Sequence, residues 1–262
     1  MNFIDQISRS IEILSPPKKI ISLVPSQTEL LFDLGLENSI IGITKFCVHP
    51  KNLKKSKNII GGTKNLNLEK IKKLKPDFII ANKEENELTQ IEELAKEFPV
   101  FVTDVKTLDT ALEMIQLLGN ITETDLKAEI LIKTIISKRS ELPGCSPRTA
   151  IYLIWKEPYL TIGGDTFINS MLGEAGFKNC FGSNYRYPEV NLAQMEEKDP
   201  EFLFLSSEPY PFKQVHMLEL QKLFPKTRVL LVDGEMFSWY GSRMQLAFPY
   251  FKNLHKVISG EN

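Results

Sequence analysis

The segment DGEMFSWYGSR, residues 233–243, carries the densest set of side chains that could bind a ligand. Trp239 and Tyr240 can pack on a flat, partly apolar molecule, and Arg243 can pair with a carboxylate or stack on a ring. The alternative is that both aromatic side chains belong to the core and cover the last helix. Their position between two glycines in a polar segment favours the binding interpretation.

Two other segments add aromatic and acidic side chains. The loop WKEPYLTIGGDT places Trp155, Tyr159 and Asp165 after a predicted strand, and its glycines allow close backbone approach. These glycines lack the spacing of a nucleotide-binding fingerprint. The segment SSEPYPF follows another predicted strand and supplies Glu208 and Tyr210 between prolines that stiffen the loop. We expect these five side chains to line a ligand site.

Three polar segments follow predicted strands in the first half of the chain. Ser26 in PSQT either caps a helix or helps its N-terminus to receive an anionic group. His49 in KFCVHP could contact a metal-containing ligand, or hold a metal ion with Cys47, but a lone histidine is more often a packing residue. Asn82 and Glu85 in ANKEEN are candidate ligand contacts, and a solvated acidic surface is the alternative.

The histidines and cysteines do not favour catalysis or redox chemistry. They are His49, His216 and His255, and Cys47, Cys145 and Cys180. Neither the G-x-S-x-G elbow of hydrolases nor the H-E-x-x-H motif of zinc proteases is present. The cysteines are widely separated and form no C-x-x-C pair, so we expect packed thiols rather than zinc or metal-cluster ligands. The sequence therefore predicts a protein that is not an enzyme.

Composition excludes several classes of partner. The 32 Lys and Arg residues balance 33 Asp and Glu residues, so no net field draws nucleic acid to the protein. No stretch approaches the ~18 apolar residues of a membrane span, which predicts no direct membrane insertion. The N-terminal MNFIDQISRSIEIL lacks the apolar run of a secretory signal, so the sequence as given predicts a cytoplasmic protein.

Short apolar runs alternate with amphipathic segments, which predicts parallel sheets covered by helices. The predicted strands are Lys19–Val24, Ile40–Thr44, Phe78–Ala81, Val100–Thr103, Arg148–Ile154, Glu201–Leu205 and Arg228–Val232. Between the two halves, residues 108–142 look helical, with a break at Gly119–Asn120 and one uninterrupted helix from Asp125 onward. Ligands bind beyond the carboxyl ends of such strands.

This pattern predicts an α/β protein of two Rossmann-like lobes joined by one long linking helix. The predicted boundaries are 1–106 for the first lobe, 107–146 for the linking segment and 147–262 for the second lobe. A single continuous sheet is the alternative.

Five segments together resemble a known family. They are ISLVPSQTELLFDLGLENSIIGIT, GGTKNLNLEKIKKLKPDFIIAN, GGDTFINSMLGEAGFKNCF, RYPEVNLAQ and DGEMFSWYGSR. Their order is similar to that of the helical-backbone metal receptors, the class III periplasmic binding proteins of ABC importers for cobalamin, haem and ferric siderophores. The resemblance implies a monomer that captures a metal chelate in a cleft between two lobes, with no intrinsic cofactor.

The resemblance also assigns roles to individual residues. Tyr187 in RYPEV matches an aromatic residue at the rim of the second lobe, and Glu69 in LNLEK matches a glutamate that docks on the ABC permease. The second docking glutamate is replaced by Ala193. A periplasmic importer component is therefore expected, with two alternatives: a cytoplasmic protein that handles corrinoids or other tetrapyrroles without transport, and a receptor for free Zn²⁺ or Mn²⁺.

Overall fold

Two separate parallel β-sheets form the framework of the chain, which the computed structural model describes over residues 1–144 and 146–260. The prediction of two parallel sheets is confirmed, and the alternative of one continuous sheet is wrong. Each sheet carries helices contributed by the segments between its strands. The chain packs as two compact units, which are described separately below.

Unit 1 contains a five-stranded sheet with the order β5-β4-β3-β6-β7. An N-terminal antiparallel hairpin precedes it. The strands are β1 (Asn2–Ile4), β2 (Ser10–Glu12), β3 (Ile20–Ser22), β4 (Ile40–Ile43), β5 (Asn58–Ile59), β6 (Phe78–Asn82) and β7 (Val100–Thr103). The helices are α1 (Pro25–Asp33), α2 (Leu53–Ser56), α3 (Leu68–Leu74), α4 (Leu88–Ala95) and α5 (Leu108–Ile121).

Three strands of this sheet are fully buried, as expected for a parallel sheet covered by helices. Every residue of β3, β6 and β7 is buried. Ile21, Ile79 and Val100 of the sheet pack with Ile71 of α3 and Leu94 of α4. The β-branched side chains of these runs suit a pleated, packed surface, which explains why the apolar pattern located the strands.

Helix α1 starts two residues earlier than predicted, with Val24 rather than Ser26 as its N-cap. Pro25 occupies the first turn, where its fixed φ and missing N–H are well tolerated, and the N-cap residue Val24 makes no side-chain cap. The prediction that Ser26 caps the helix is therefore wrong, because Ser26 lies inside the first turn and is buried. Gly35 ends the helix region with a φ of 83°, a left-handed conformation that glycine adopts readily.

The predicted linking segment forms two helices, and its break lies later than Gly119–Asn120. Helix α5 ends at Ile121, and α6 (Asp125–Ser140) follows. Glu123 in the connection adopts the left-handed φ of 54°, and Thr122 Oγ1 donates to the carbonyl of Leu118 at 2.6 Å. These local features end α5, since a left-handed residue cannot continue an α-helix.

Unit 2 contains a four-stranded parallel sheet with the order β10-β8-β12-β13. The strands are β8 (Arg148–Leu153), β9 (Tyr159–Leu160), β10 (Phe177–Asn179), β11 (Glu189–Val190), β12 (Phe202–Ser206) and β13 (Arg228–Val232). The helices are α7 (Phe167–Glu174), α8 (Leu192–Glu197), α9 (Gln214–Leu223), α10 (Glu235–Ser238) and α11 (Met244–Ser259). Its core joins Ile151, Leu203 and Val229 of the sheet to Met195 of α8 and Leu220 of α9.

The chain passes between the two units more than once. Unit 1 comprises Met1–Val105, Asp109–Thr134 and Tyr240–Arg243, and unit 2 comprises the rest. The predicted linking segment is thus divided within α6, and Tyr240–Arg243, predicted in the second lobe, belongs to unit 1. No helix within the described residues combines the length and apolar character needed to cross a membrane.

Candidate functional site

Most of the predicted site residues lie at or after the carboxyl ends of strands, and each unit has its own set. In unit 1 they are Ser26, His49, Asn82, Glu85, Tyr240 and Arg243. In unit 2 they are Trp155, Tyr159, Asp165, Tyr187, Glu208, Tyr210 and Trp239. The structure gives several of the unit 1 residues partners within the protein that the sequence did not reveal.

Arg243 forms a buried, two-pronged ion pair with Glu29 of α1. Arg243 Nε lies 2.8 Å from Glu29 Oε2, and a terminal guanidinium nitrogen lies 2.5 Å from Oε1. Both side chains are largely shielded from solvent, with 7% and 14% exposed. The guanidinium predicted to meet a ligand carboxylate therefore meets a carboxylate of the protein. Sequence reasoning missed Glu29, whose only signal was an acid flanked by the buried Thr28 and Leu30.

Tyr240 is a core residue of unit 1. Only 6% of it is exposed, and burial raises the pKa of its hydroxyl well above the ordinary value. The charge of Glu85 adds to this rise, while the nearby hydroxyls of Ser26 and Thr103 oppose it. The interpretation of Tyr240 as a core aromatic side chain is thus the one that the packing favours, and Ser26 is its neighbour.

Asn82 shapes the loop that carries the acidic residues. Its Oδ1 accepts hydrogen bonds from the backbone N–H groups of Glu84 and Glu85, at 2.8 and 3.1 Å. Its Nδ2 donates to Thr103 Oγ1 at 2.9 Å, and Gln27 Nε2 donates to the same oxygen at 2.6 Å. Because Asn82 is buried and bonded on both sides of its amide, it positions the half-buried Glu85.

Cys47, which the sequence paired with His49 as a possible metal ligand, is a core residue. Cys47 is fully buried, and its Sγ lies 3.2 Å from Thr28 Oγ1 and 3.4 Å from Thr44 Oγ1. His49 is half-buried. Within residues 1–144 and 146–260, no group of three or more His, Cys, Asp or Glu side chains is arranged to hold a metal ion. Cys145 lies outside the described residues.

The aromatic side chains of unit 2 form a continuous contact. The Trp155 and Tyr210 rings lie 5.6 Å apart edge to face, and Tyr210 contacts Phe212 at 4.8 Å. Trp155 is 40% exposed, which is high for a tryptophan, and Tyr210 is half-buried. Tyr159 packs in the same cluster, and burial raises the pKa of its hydroxyl. This cluster presents an aromatic surface after β8 and β12.

Glu208 and Trp239 contact each other in unit 2. Glu208 Oε1 accepts hydrogen bonds from Ser238 Oγ at 2.5 Å and from the indole Nε1 of Trp239 at 3.0 Å. Burial raises the pKa of the Glu208 carboxyl, and the nearby charge of Glu235 raises it further. The sequence indicated both site residues but not their bond to each other.

Asp165 and Tyr187 belong to two loops that are held together. Asp165 Oδ1 accepts the backbone N–H of Arg186 at 2.6 Å, and the Arg186 guanidinium lies 5.7 Å from the centre of the Tyr187 ring. Gly164 allows this approach, because a Cβ there would lie 2.1 Å from the carbonyl oxygen of Gly182. Half-buried Tyr187 therefore has a defined position just before β11.

Replacing Gly164 by alanine is expected to lower the free energy of unfolding by about 1–3 kcal/mol, because the new methyl group would collide with backbone atoms. Gly173→Ala in α7 is the matched control: its Cβ would meet no atom within 4 Å, so we expect a neutral or slightly stabilising effect. Urea unfolding of both variants measures the difference. Equal stability of the two would show that the loop contact is not tight.

Glu69 and Ala193 occupy the same position in two similar helix starts. Glu69 follows the cap residue Asn67 by two positions in α3, and it is exposed. Ala193 follows Asn191 by two positions in α8, where Asn191 and Gln194 form a capping box, and it is also exposed. Unit 2 thus presents a methyl group where unit 1 presents a carboxylate.

Comparisons with known proteins agree with this architecture. The family model for periplasmic binding proteins matches residues 20–223. The uncharacterized ABC transporter substrate-binding lipoprotein YvrC of Bacillus subtilis (strain 168) is 28% identical over 190 residues, covering 67% of this chain and 59% of YvrC. The vitamin B12-binding protein of Vibrio vulnificus (strain CMCP6) is 27% identical over 201 residues, covering 73% of this chain and 72% of that protein.

A solved structure shares the fold over nearly the full length. The periplasmic vitamin B12 binding protein BtuF of Vibrio cholerae has a TM-score of 0.80 and 22% identity, covering 93% of this chain and 98% of BtuF. At this identity, the likeness shows the fold alone. The match to YvrC covers less than two thirds of that lipoprotein's length.

Proposed function

Because the chain belongs to the periplasmic binding protein family, whose model matches residues 20–223, we propose that it captures a metal chelate as a non-catalytic substrate-binding protein. Cobalamin or another corrinoid is the preferred ligand, and haem and ferric siderophores are the alternatives. The vitamin B12-binding relatives support the corrinoid. The family match agrees with the resemblance inferred from the sequence motifs.

The observation that carries this proposal is the aromatic surface of unit 2. Trp155 and Tyr210 contact each other at the strand ends, and Trp155 is 40% exposed. A partly exposed tryptophan and tyrosine suit a large, flat ligand with apolar faces. A receptor for free Zn²⁺ or Mn²⁺ would instead need several clustered nitrogen and oxygen ligands, which the described residues do not provide.

Two histidines are engaged in local structure, which supports a non-catalytic role. His216 Nδ1 accepts the backbone N–H of Lys213 at 3.0 Å at the start of α9. His255 stacks on Phe177 with ring centres 5.6 Å apart, and its Nε2 lies 2.9 Å from the carbonyl oxygen of Ala175. A general base must instead be free to reach a substrate proton.

Isothermal titration calorimetry against cyanocobalamin, cobinamide, haemin and a ferric catecholate siderophore tests the ligand class. We expect saturable binding of one class, with a negative heat-capacity change because apolar surface is buried. Binding of cobinamide as tight as that of cyanocobalamin would indicate recognition of the corrin ring. Failure of all four ligands to bind would overturn the proposal.

An ABC permease is the proposed partner, and Glu69 is the residue that we expect to contact it. Glu69→Ala should leave the affinity for the soluble ligand unchanged, because Glu69 is exposed on α3, and should weaken binding to the permease. Glu92→Ala, at another exposed glutamate of unit 1, is the control. Binding to the permease in nanodiscs measures the effect. Equal binding by Glu69→Ala and the wild-type protein would contradict the assignment.

Ala193 favours a second candidate function, in which the protein handles a corrinoid or other tetrapyrrole without transport. Unit 2 offers no carboxylate at the position that matches Glu69 of unit 1. In this case the chelate binds as proposed, while both the wild-type protein and Ala193→Glu fail to bind a permease. An importer role instead implies a periplasmic or membrane-anchored protein, as in the relatives.

A further inference from the structure

Glu208 lies in a position built from three neighbouring segments of unit 2. The Ser206 hydroxyl donates to the Glu208 carbonyl at 2.6 Å, which fixes the loop after β12. Gly234 packs against the Glu208 side chain, since a Cβ at Gly234 would lie 2.7 Å from Glu208 Cγ. Ser238 and Trp239 then donate to one and the same carboxylate oxygen. Contacts to the backbone, the side-chain carbons and the carboxylate of Glu208 therefore fix the orientation of the carboxylate.

The two hydrogen bonds from Ser238 and Trp239 indicate that the Glu208 carboxylate orients the indole ring. A hydrogen bond from an indole N–H to a carboxylate is charge-assisted and stronger than one to a neutral acceptor. Trp239 has only this one side-chain donor, so Glu208 Oε1 restricts the rotation of the indole ring. The Ser238 hydroxyl fixes the same oxygen from the preceding residue.

The surroundings of Glu208 raise the free energy of its ionised carboxylate. Burial is the main cause of the raised pKa of Glu208, and the charges of Glu235 and Asp233 act in the same direction. The buried Tyr152 of β8 donates to Ser206 Oγ at 3.1 Å, and the charge of Glu208 raises the pKa of its hydroxyl. A folded-state pKa above the unfolded value contributes stability at low pH that is lost as the pH rises through the folded pKa. Ionised Glu208 thus reduces stability at neutral pH, which points to a role other than folding.

We infer that Glu208 is a positioning residue whose ionised carboxylate holds the Trp239 indole in the orientation that contacts the ligand. This inference rests on the proposed function. Protonation of Glu208 replaces two charge-assisted hydrogen bonds by weaker ones, so the indole loosens and the affinity falls on acidification. Stability changes in the opposite direction over the same pH range. If Glu208 had a merely structural role, affinity and stability would not change in opposite directions with pH.

Tryptophan fluorescence tests the positioning without any ligand. The chain has two tryptophans, so Trp155→Phe leaves Trp239 as the only emitter. Its emission should change on titration with a midpoint above the ordinary glutamate value of about 4.3. Adding Glu208→Gln should abolish that transition, because the variant removes the carboxyl group that causes it. A transition caused by Asp233 or Glu235 would instead survive the change. A transition that persists in Glu208→Gln, or emission that does not respond to pH, would overturn the inference.

The second test measures the affinity for cyanocobalamin as a function of pH, in protein that retains Trp155. As the pH falls through the midpoint of the fluorescence transition, we expect the wild-type affinity to fall at least threefold while the urea midpoint stays level or rises. The affinity of Glu208→Gln should not change over the same pH range, and Glu208→Ala should bind more weakly than Glu208→Gln. Affinity in Glu208→Gln that keeps the wild-type pH dependence would contradict the positioning role. If cyanocobalamin does not bind at all, the proposed corrinoid function fails, while the fluorescence test still decides the contact between Glu208 and Trp239.

Discussion

Replacing Arg243 by alanine is expected to lower the free energy of unfolding by about 3–5 kcal/mol, since it leaves the Glu29 carboxylate buried without its charged partner. The pair is bidentate, and it joins residues 214 positions apart in the sequence. It fastens Tyr240–Arg243 to α1 within unit 1. Urea unfolding followed by far-UV circular dichroism measures the loss.

Arg139→Ala is the matched control for this prediction. Arg139 contacts Glu174 with the same two-pronged geometry, at 2.6 and 2.9 Å, but its side chain is 49% exposed. Exposed ion pairs contribute about 0–1 kcal/mol, so the control should stay close to the wild-type stability. If Arg243→Ala keeps its stability but binds ligand more weakly, then Arg243 is a ligand contact, as its sequence context first indicated.

Replacing Trp239 by alanine is expected to weaken ligand binding at least tenfold, about 1.4 kcal/mol, while the protein remains folded. Trp239 is half-buried, and its indole is held by Glu208 beside the strand ends of unit 2. Aromatic side chains of this size supply a large share of binding energy when a ligand covers them. Absorbance titration with cyanocobalamin measures the affinity.

Trp239→Phe separates the ring from its hydrogen bond. Phenylalanine keeps an aromatic face but loses the Nε1 donor to Glu208, so its affinity should lie between those of the wild-type protein and Trp239→Ala. The urea midpoint of each variant shows whether the fold survives. A large loss of stability with unchanged affinity in the folded fraction would mean that Trp239 is a core residue.

Much of the sheet architecture could be predicted from the sequence. The predicted strands Val100–Thr103 and Arg228–Val232 match β7 and β13 residue for residue. Their continuous apolar, β-branched runs are typical of buried parallel strands. The short strands β5 and β10, with two and three residues, were not predicted, because so few residues carry no periodic pattern. They pair as edge strands, and tertiary packing alone locates them.

The site was less predictable, because its contacts join distant parts of the chain. The sequence placed Arg243 in a polar segment but could not show that Glu29 would bind it. Tyr240 follows Trp239 directly, yet Tyr240 is buried in unit 1 while Trp239 belongs to unit 2. Position after a strand selected the candidate residues in each unit, whereas their burial and pairing became visible only in the structure.

A thermal-shift titration of the purified protein with cyanocobalamin, in parallel with Zn²⁺ and Mn²⁺, tests most directly the claim that the protein captures a chelate. A ligand that binds only the folded state stabilises it by RT ln(1 + [L]/Kd), so the melting temperature rises with the ligand concentration. The proposed function predicts a concentration-dependent rise with cyanocobalamin and none with either metal ion. Stabilisation by Zn²⁺ or Mn²⁺, with no response to cyanocobalamin, would contradict the account.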